Sequence, residues 1–157
     1  MSSDVDVVRR LFDAVERRDG DELLACYAED IEITEAAALP YGGTYRGRDG
    51  ALAHALRFLA AWNPYQGPEE LKLDPQFWGD GAGTVCVLFH HRAFDPIRSV
   101  RLDALEVSIY QIRDGRVARS QMFHADSAAV AQFLHDARLA AATGVRQDPL
   151  PQDDGTG

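Results

Sequence analysis

Cysteine, positive charge and long apolar runs are all scarce in this chain, and each scarcity removes a class of protein. Cys26 and Cys86 are the only two cysteines. One falls in a helical pattern and the other in a strand pattern, far apart and without metal-type spacing, so free thiols are expected rather than a disulfide framework. The 16 basic residues are scattered and outweighed by 25 acidic ones, for a net charge of −9. No basic patch exists to neutralise a phosphate backbone or an anionic bilayer, so neither nucleic acid nor membrane is an expected partner. No segment approaches membrane-spanning length. Asp4 and Asp6 stand where a signal peptide would carry Lys or Arg, and a cytoplasmic location is expected. Internal repeats are also missing.

What the chain does have is enough apolar material for one core: 157 residues, 46% hydrophobic. A single domain over residues 1–139 is expected, followed by a disordered tail over 140–157. From Gly144 onward the tail combines prolines, aspartates and glycines without core-forming periodicity.

The strongest local signal lies between Val100 and His124. Two strand patterns, Val100 to Ile112 and Val117 to His124, flank Arg113-Asp114-Gly115-Arg116. Asp-Gly supports a two-residue loop with both residues at positive φ, or a three-residue loop with a bulge at Gly115. The bulged form is expected. It pairs Ser108 with Ser120, Glu106 with Met122 and Ala104 with His124, giving a half-polar face opposite the apolar Leu105, Val107 and Ile109. One face then lines a cavity and the other packs against a partner, which suggests a homodimer through the outer face of the sheet.

Along the chain, Ser3 and Asp6 form a capping pair for a first helix with Val5, Val8, Phe12 and Val15 on its buried face. Arg17 to Gly20 ends it, and a short helix over Asp21 to Tyr27 precedes a strand in which Ile31, Ile33 and Glu35 share one face. The Pro- and Gly-rich segment Ala36 to Arg48 reads as a loop or lip. A third helix, Asp49 to Trp62, carries Leu52, Leu56, Leu59 and Trp62 inward and stops at Pro64. Leu71 to Trp78 is a strand or half-strand, and Thr84 to Phe94 a strong one with Val85, Val87, Phe89, His91 and Ala93 on one side. Asp126 caps a last helix reaching about Arg138. The fold class is α+β, a curved antiparallel sheet with helices closing one face.

Three stretches carry a family resemblance. Val8 to Glu35 runs helix, Arg-Asp-Gly-Asp, helix, Tyr-Ala-Glu-Asp, strand, Glu; Pro40 to Asp49 reads PYGGTYRGRD, and Tyr110 to Val117 reads YQIRDGRV. Together they resemble the SnoaL-like, polyketide cyclase-like branch of the nuclear transport factor 2-like and ketosteroid isomerase-like superfamily, across residues 5 to 137. The resemblance implies a cone-shaped sheet wrapped around N-terminal helices with an internal cavity. It does not imply one reaction, since the superfamily includes isomerases, hydrolases, dehydratases, cyclases and non-catalytic binders. By similarity Glu35 falls where ketosteroid isomerases keep their aspartate base, whereas Leu11 and Ser108 replace their oxyanion-hole tyrosine and protonated aspartate. Phe89, His91 and Met122 replace the Arg and two Asp of limonene-type epoxide hydrolases. Neither machinery is complete here. The same comparison puts His91, Glu106, Ser108, Met122 and His124 on the cavity wall.

Glu35, His91, His124 and Glu106 are therefore the candidate catalytic residues. In a partly dry pocket, burial raises a carboxylate pKa and lowers that of an imidazole, toward the range useful for proton transfer. Glu35 is expected to be the base, His124 and His91 its acid or orienting partners, and Glu106 their tuner. Tyr45, Trp62, Trp78, Phe89, Ser108 and Met122 are candidates for binding a flat or polycyclic hydrophobic substrate. Two histidines and a glutamate could also ligate a metal, but their spacing is not local and the family's usual chemistry is metal-free, so no metal and no cofactor are expected. The expected function is cofactor-independent cyclisation, isomerisation or dehydration of a hydrophobic metabolite in secondary metabolism. The alternatives are a small-molecule-binding or accessory protein using the same cavity, and, third, a structural oligomerisation module.

Overall fold

The computed structural model describes residues 3–143; the part of the expected tail from Gly144 lies outside them. Two N-terminal helices, α1 (Asp4–Arg17) and α2 (Gly20–Ala25), lead into strand β1 (Tyr27–Glu35). A short β2 (Gly43–Arg46) and the long α3 (Gly47–Trp62) follow, with one 3-10 turn over Asn63–Tyr65. Then come β3 (Gln76–Gly79), β4 (Thr84–Asp95), β5 (Val100–Arg113), β6 (Arg116–His124) and α4 (Ser127–Thr143). The strands form one curved, unclosed sheet in the order β2-β1-β6-β5-β4-β3, antiparallel except where β1 meets β6.

Helix α1 begins with the expected reciprocal cap: Ser3 Oγ accepts from the Asp6 amide at 3.2 Å, and Asp6 Oδ2 accepts from the Ser3 amide at 3.0 Å. Its buried stripe is Val7, Val8, Leu11, Phe12 and Ala14, rotated from the expected one, with Val5 and Val15 only half-buried. The rotation follows from Phe12, whose ring meets Phe77, Phe89 and Tyr110 edge-on at 5.0–6.1 Å and so docks the helix on the sheet's inner face.

The central hairpin corrects the expected register. Asp114 and Gly115 both have positive φ, 52° and 71°, and Arg113 pairs directly with Arg116, so the loop has two residues. An irregularity further along β6, where Gln111 meets Arg119 and Ile112 meets Val117, leaves Ala118 unpaired. Glu106 consequently faces His124, Ser108 faces Met122 and Tyr110 faces Ser120. Every expected pair is displaced by two residues. Since two is the side-chain period of a strand, the same residues still share the inner face.

Helix α3 departs more seriously. Leu52 and Leu56 are 44% and 58% exposed, while Ala51, His54, Ala61 and Trp62 are buried. Trp62 sets this rotation: its Nε1 donates to Tyr41 Oη at 2.9 Å and its ring stacks on Phe133 of α4. The supposed lip also belongs to the interior. Leu39, Tyr41 and Tyr45 are buried, and Tyr45 Oη donates to the Tyr41 carbonyl at 2.9 Å. Leu39 and Tyr41 join Trp62, Tyr65, Val130, Phe133 and Leu134 in a second apolar cluster, while Tyr45 belongs to the main core with Phe12, Ile33 and Phe89.

Candidate active site

Between α1, α2, α3 and the inner face of the sheet lies a cavity of about 160 Å³. Its walls are apolar, with Leu11, Phe12, Leu23, Phe58, Phe89 and Met122 prominent. Glu35, His54, His91 and Glu106 bring polar atoms to it, all from buried residues, whereas Asp19 and Gly20 are exposed and mark the mouth.

Four different elements supply the polar group. Glu35 ends β1, His54 lies mid-way along α3, Glu106 is on β5 and His124 ends β6. His124 Nε2 lies 2.9 Å from Glu35 Oε1, and His54 Nε2 lies 3.2 Å from Glu35 Oε2. A carboxylate only accepts, so both imidazoles donate to it. The same His124 nitrogen is 3.5 Å from Glu106 Oε1. The side chains of Glu35, His124 and Glu106 are only 1%, 2% and 6% exposed. Glu35 and His124 thus project inward, and the interior beside them is not plugged.

The two carboxyls have opposite protonation preferences. Burial alone would raise both. For Glu35, hydrogen bonds from His124 and His54 outweigh it and hold the group below the ordinary carboxylate value. Glu106 has only the more distant His124 to offset burial, and the Glu35 charge opposes its ionisation; it is pushed up to about 8 and is a neutral acid at pH 7. His124 rises despite burial because Glu35 accepts its hydrogen bond and both carboxyls attract its charge. His91 falls to about 3, through burial and repulsion from His124, and its Nε2 has no hydrogen-bond partner among the described residues. The arrangement thus favours an ionised Glu35 beside a His124 shifted toward its charged form, with Glu106 held toward its protonated form and His91 toward its neutral one. Glu35, Glu106 and His124 each offer a ligand atom within 4.8 Å of the others, so this trio is where a divalent ion would be held.

These geometric features stand in a chain that matches the SnoaL-like domain family over residues 8–120. The chain belongs to that family. A Mycobacterium tuberculosis protein of uncharacterised function is 30% identical over 131 residues, covering 83% of this chain and 95% of that protein. A nuclear transport factor 2-like protein of unknown function from Burkholderia pseudomallei has the same fold, with TM-score 0.72 at 24% identity over 85% of this chain and 98% of that one. A candidate polyketide cyclase from Sinorhizobium meliloti superposes with TM-score 0.55 at 20% identity, over 75% and 94% of the two chains.

In this SnoaL-like domain the expected site residues separate into groups. Glu35, His91, Glu106, Phe89 and Met122 do line the cavity. His124 stands behind them, joined to both carboxyls but not itself on the wall. Ser108 is fully buried in the row with Met122, its hydroxyl unpartnered among the described residues, and is also off the wall. Tyr45 and Trp62 support the site from outside: the Tyr45 ring lies 5.0 Å from His54, and the Trp62 ring 4.2 Å from His91. Trp78 is 54% exposed on the edge strand β3, away from the cavity, because its side of that strand faces outward beside Cys86.

His54 was hidden by the leucines. Leu52, Leu56 and Leu59 form an apolar stripe of helical spacing that outscores the true one, yet His54, Phe58 and Trp62 also recur at intervals of four. Gly50 and Ala51 beside them were the available signal, since small residues mark the side on which a helix approaches closely. A Cβ on Gly50 would lie 3.2 Å from the Tyr45 carbonyl carbon.

Proposed function

We propose that this protein is a cofactor-independent acid-base enzyme acting on a small hydrophobic metabolite, of the cyclase or isomerase kind. The observation that carries the reading is geometric: two buried carboxyls, Glu35 and Glu106, reach one apolar cavity, with a single nitrogen of His124 2.9 Å from the first and 3.5 Å from the second, and their pKa values are pushed in opposite directions. Buried carboxyls pushed apart in this way are suited to the roles of base and acid. Glu35 removes a proton from carbon beside a carbonyl, or from a hydroxyl, and Glu106 delivers one to the atom where negative charge develops. Glu35 is then protonated and Glu106 ionised. His124 resets them by passing its Nε2 proton to Glu106 and taking the one on Glu35, so no net proton is exchanged with solvent. His54 holds Glu35 in place, and neutral His91 offers a hydrogen-bonding nitrogen to the substrate.

Cavity size bears on the substrate. An apolar cavity of about 150 Å³ accommodates benzene, so the enclosed space here suits one ring, and a polycyclic molecule would extend through the mouth. A dimer through the sheet's outer face fits the same reading, because Trp78, Leu105 and Phe123 remain 43–54% exposed there.

Glu35→Gln tests the function. It keeps the shape and removes the base, so turnover should fall by roughly 10²–10⁴-fold while ligand affinity stays within a few-fold. The competing reading, a binding protein without turnover, draws on the fact that both Glu35 oxygens already accept hydrogen bonds. It prevails if wild type binds ligands and converts none, whereas conversion left intact in Glu35→Gln would overturn Glu35 as the base.

A further inference from the structure

Among the described residues, Arg18 is the only arginine lining the cavity. It sits at the C-terminal end of α1 in a left-handed conformation, φ 56° and ψ 35°, a backbone geometry that costs a non-glycine residue roughly 1 kcal/mol. That geometry turns the chain so that the half-buried side chain reaches the cavity, with its guanidinium carbon 5.9 Å from the Phe58 ring centroid. Nη2 donates to Gln66 Oε1 at 2.5 Å, and Gln66 is itself held by a 2.8 Å bond to the Arg92 carbonyl.

The partner is neutral. Arg10, Arg46, Arg92, Arg98, Arg101, Arg113 and Arg119 each lie within 4.0 Å of a carboxylate; among the described residues Arg18 has none, and the other arginines without one, Arg9, Arg17, Arg48, Arg57, Arg116 and Arg138, do not line the cavity. Asp19 beside it accepts from the Glu22 amide at 3.0 Å and caps α2. Nor does the side chain serve its own helix: the backbone N–H of Arg18 closes α1 onto Ala14 and Val15. A guanidinium has five donors in a fork matched to a carboxylate. Most of that fork is left for a ligand, in partly desolvated surroundings where a charge-assisted bond is strong.

We infer that Arg18 is the anchor for an anionic group of the substrate, so that the preferred substrates are small hydrophobic carboxylic acids or equally acidic enols. This rests on the cavity being a ligand site, as proposed above, and adds the ligand's charge and its direction. Ionised Glu35 repels an anion from the inner end, while Arg18 attracts it near the mouth. The substrate therefore enters with its uncharged, reacting part foremost and its carboxylate held behind at Arg18. The apolar wall between the two, with Leu11, Phe12 and Phe58, holds the hydrocarbon part.

The test uses matched probes: benzoate, phenylacetate and hexanoate against their primary amides, titrated calorimetrically into wild type, Arg18→Gln and Arg18→Lys. Thermal melting of each variant first establishes that it is folded. Wild type should prefer each carboxylate it binds at least ten-fold over its amide, Arg18→Gln should lose that preference, and Arg18→Lys should recover part of it. Equal affinity for acid and amide in wild type, a preference unchanged in Arg18→Gln, or no binding by any of the three carboxylates overturns the assignment. If the amides bind regardless, the cavity reading survives without the anion anchor. Loss of turnover in Glu35→Gln is scored separately, so the two failures are distinguishable.

Discussion

At the scale of single residues, the site depends on unequal support for two similar side chains. Glu35 receives two imidazole hydrogen bonds, and Glu106 has one nitrogen at 3.5 Å. That difference holds Glu35 below the ordinary carboxylate value and leaves Glu106 above it, which suits the proposed roles of base and acid. His54 is the adjustable part. Replacing it with Leu removes one of the bonds that hold Glu35 below its usual range, so the acid limb of the pH–rate profile should move upward while the alkaline limb, set by Glu106 near pH 8, stays in place. A His54→Leu profile superimposable on wild type after scaling would show that His54 only packs. The sequence displayed Glu35, His91 and Glu106 because strand alternation assigns a face with a period of two. His54 could not be ranked in the same way, since several helical stripes fit α3.

Among the elements, the segment between β1 and α3 shows how close packing, not flexibility, can demand glycine. Gly42 is among the glycines without positive φ, yet a Cβ there would lie 2.3 Å from the Ala36 carbonyl oxygen and 2.9 Å from both Ala37 Cα and the Leu39 carbonyl oxygen. All three are backbone atoms and cannot swing aside. Gly42→Ala should therefore destabilise the fold by about 3 kcal/mol, read from denaturant unfolding. It should also impair the site, because this turn carries Tyr41 and Tyr45 into the wall behind His54. A change below about 0.5 kcal/mol, the range usual for surface substitutions, would refute the packing argument. From composition alone the Pro- and Gly-rich stretch looks like a loop; the steric restriction exists only once the turn is closed.

Taken whole, the molecule carries its buried charge cluster as a pH-dependent load. Folded Glu106 keeps its proton to about pH 8, against 4.5 as the ordinary value, so between those limits the native state holds an extra proton and stability declines as pH rises. His91 works oppositely. It stays neutral down to about 3 when folded but takes up a proton below 6.5 when unfolded, so stability rises with pH across that interval. The two offset each other from 4.5 to 6.5. Above 6.5 Glu106 remains, and the raised His124 adds to it. Stability should thus peak between pH 4.5 and 6.5 and fall toward pH 8 at about 1.4 kcal/mol per unit from Glu106 alone. Denaturation midpoints at several pH values check this, and Glu106→Gln should flatten the alkaline decline; a wild-type plateau from 6.5 to 8 contradicts it. Association is the other property at this scale. Phe123 is 51% exposed in the outer row with Leu88 and Val107, so Phe123→Glu should convert the proposed dimer to a monomer in light scattering, with its melting temperature compared at matched concentration.

Local rules of the chain were sufficient for the α+β class, the capped first helix, the strands and the Asp-Gly hairpin, because capping, alternation and turn chemistry involve neighbours in sequence. They also put Glu35 on one face with Ile31 and Ile33, and Glu106 on one face with Met122 and His124; the second grouping survived a wrong hairpin pairing only because the error was an even number of residues, while the placement of His91 on the cavity wall came from the family resemblance. Tertiary packing decided the rest: the rotation of α3 that brings in His54, the exile of Trp78 to the outer surface, and the retreat of His124 behind the wall. Those outcomes turn on contacts between elements many residues apart, such as Trp62 with Tyr41 and Phe133. No periodicity within one segment contains them, since a helix can present any of its stripes until another element fills the space beside it.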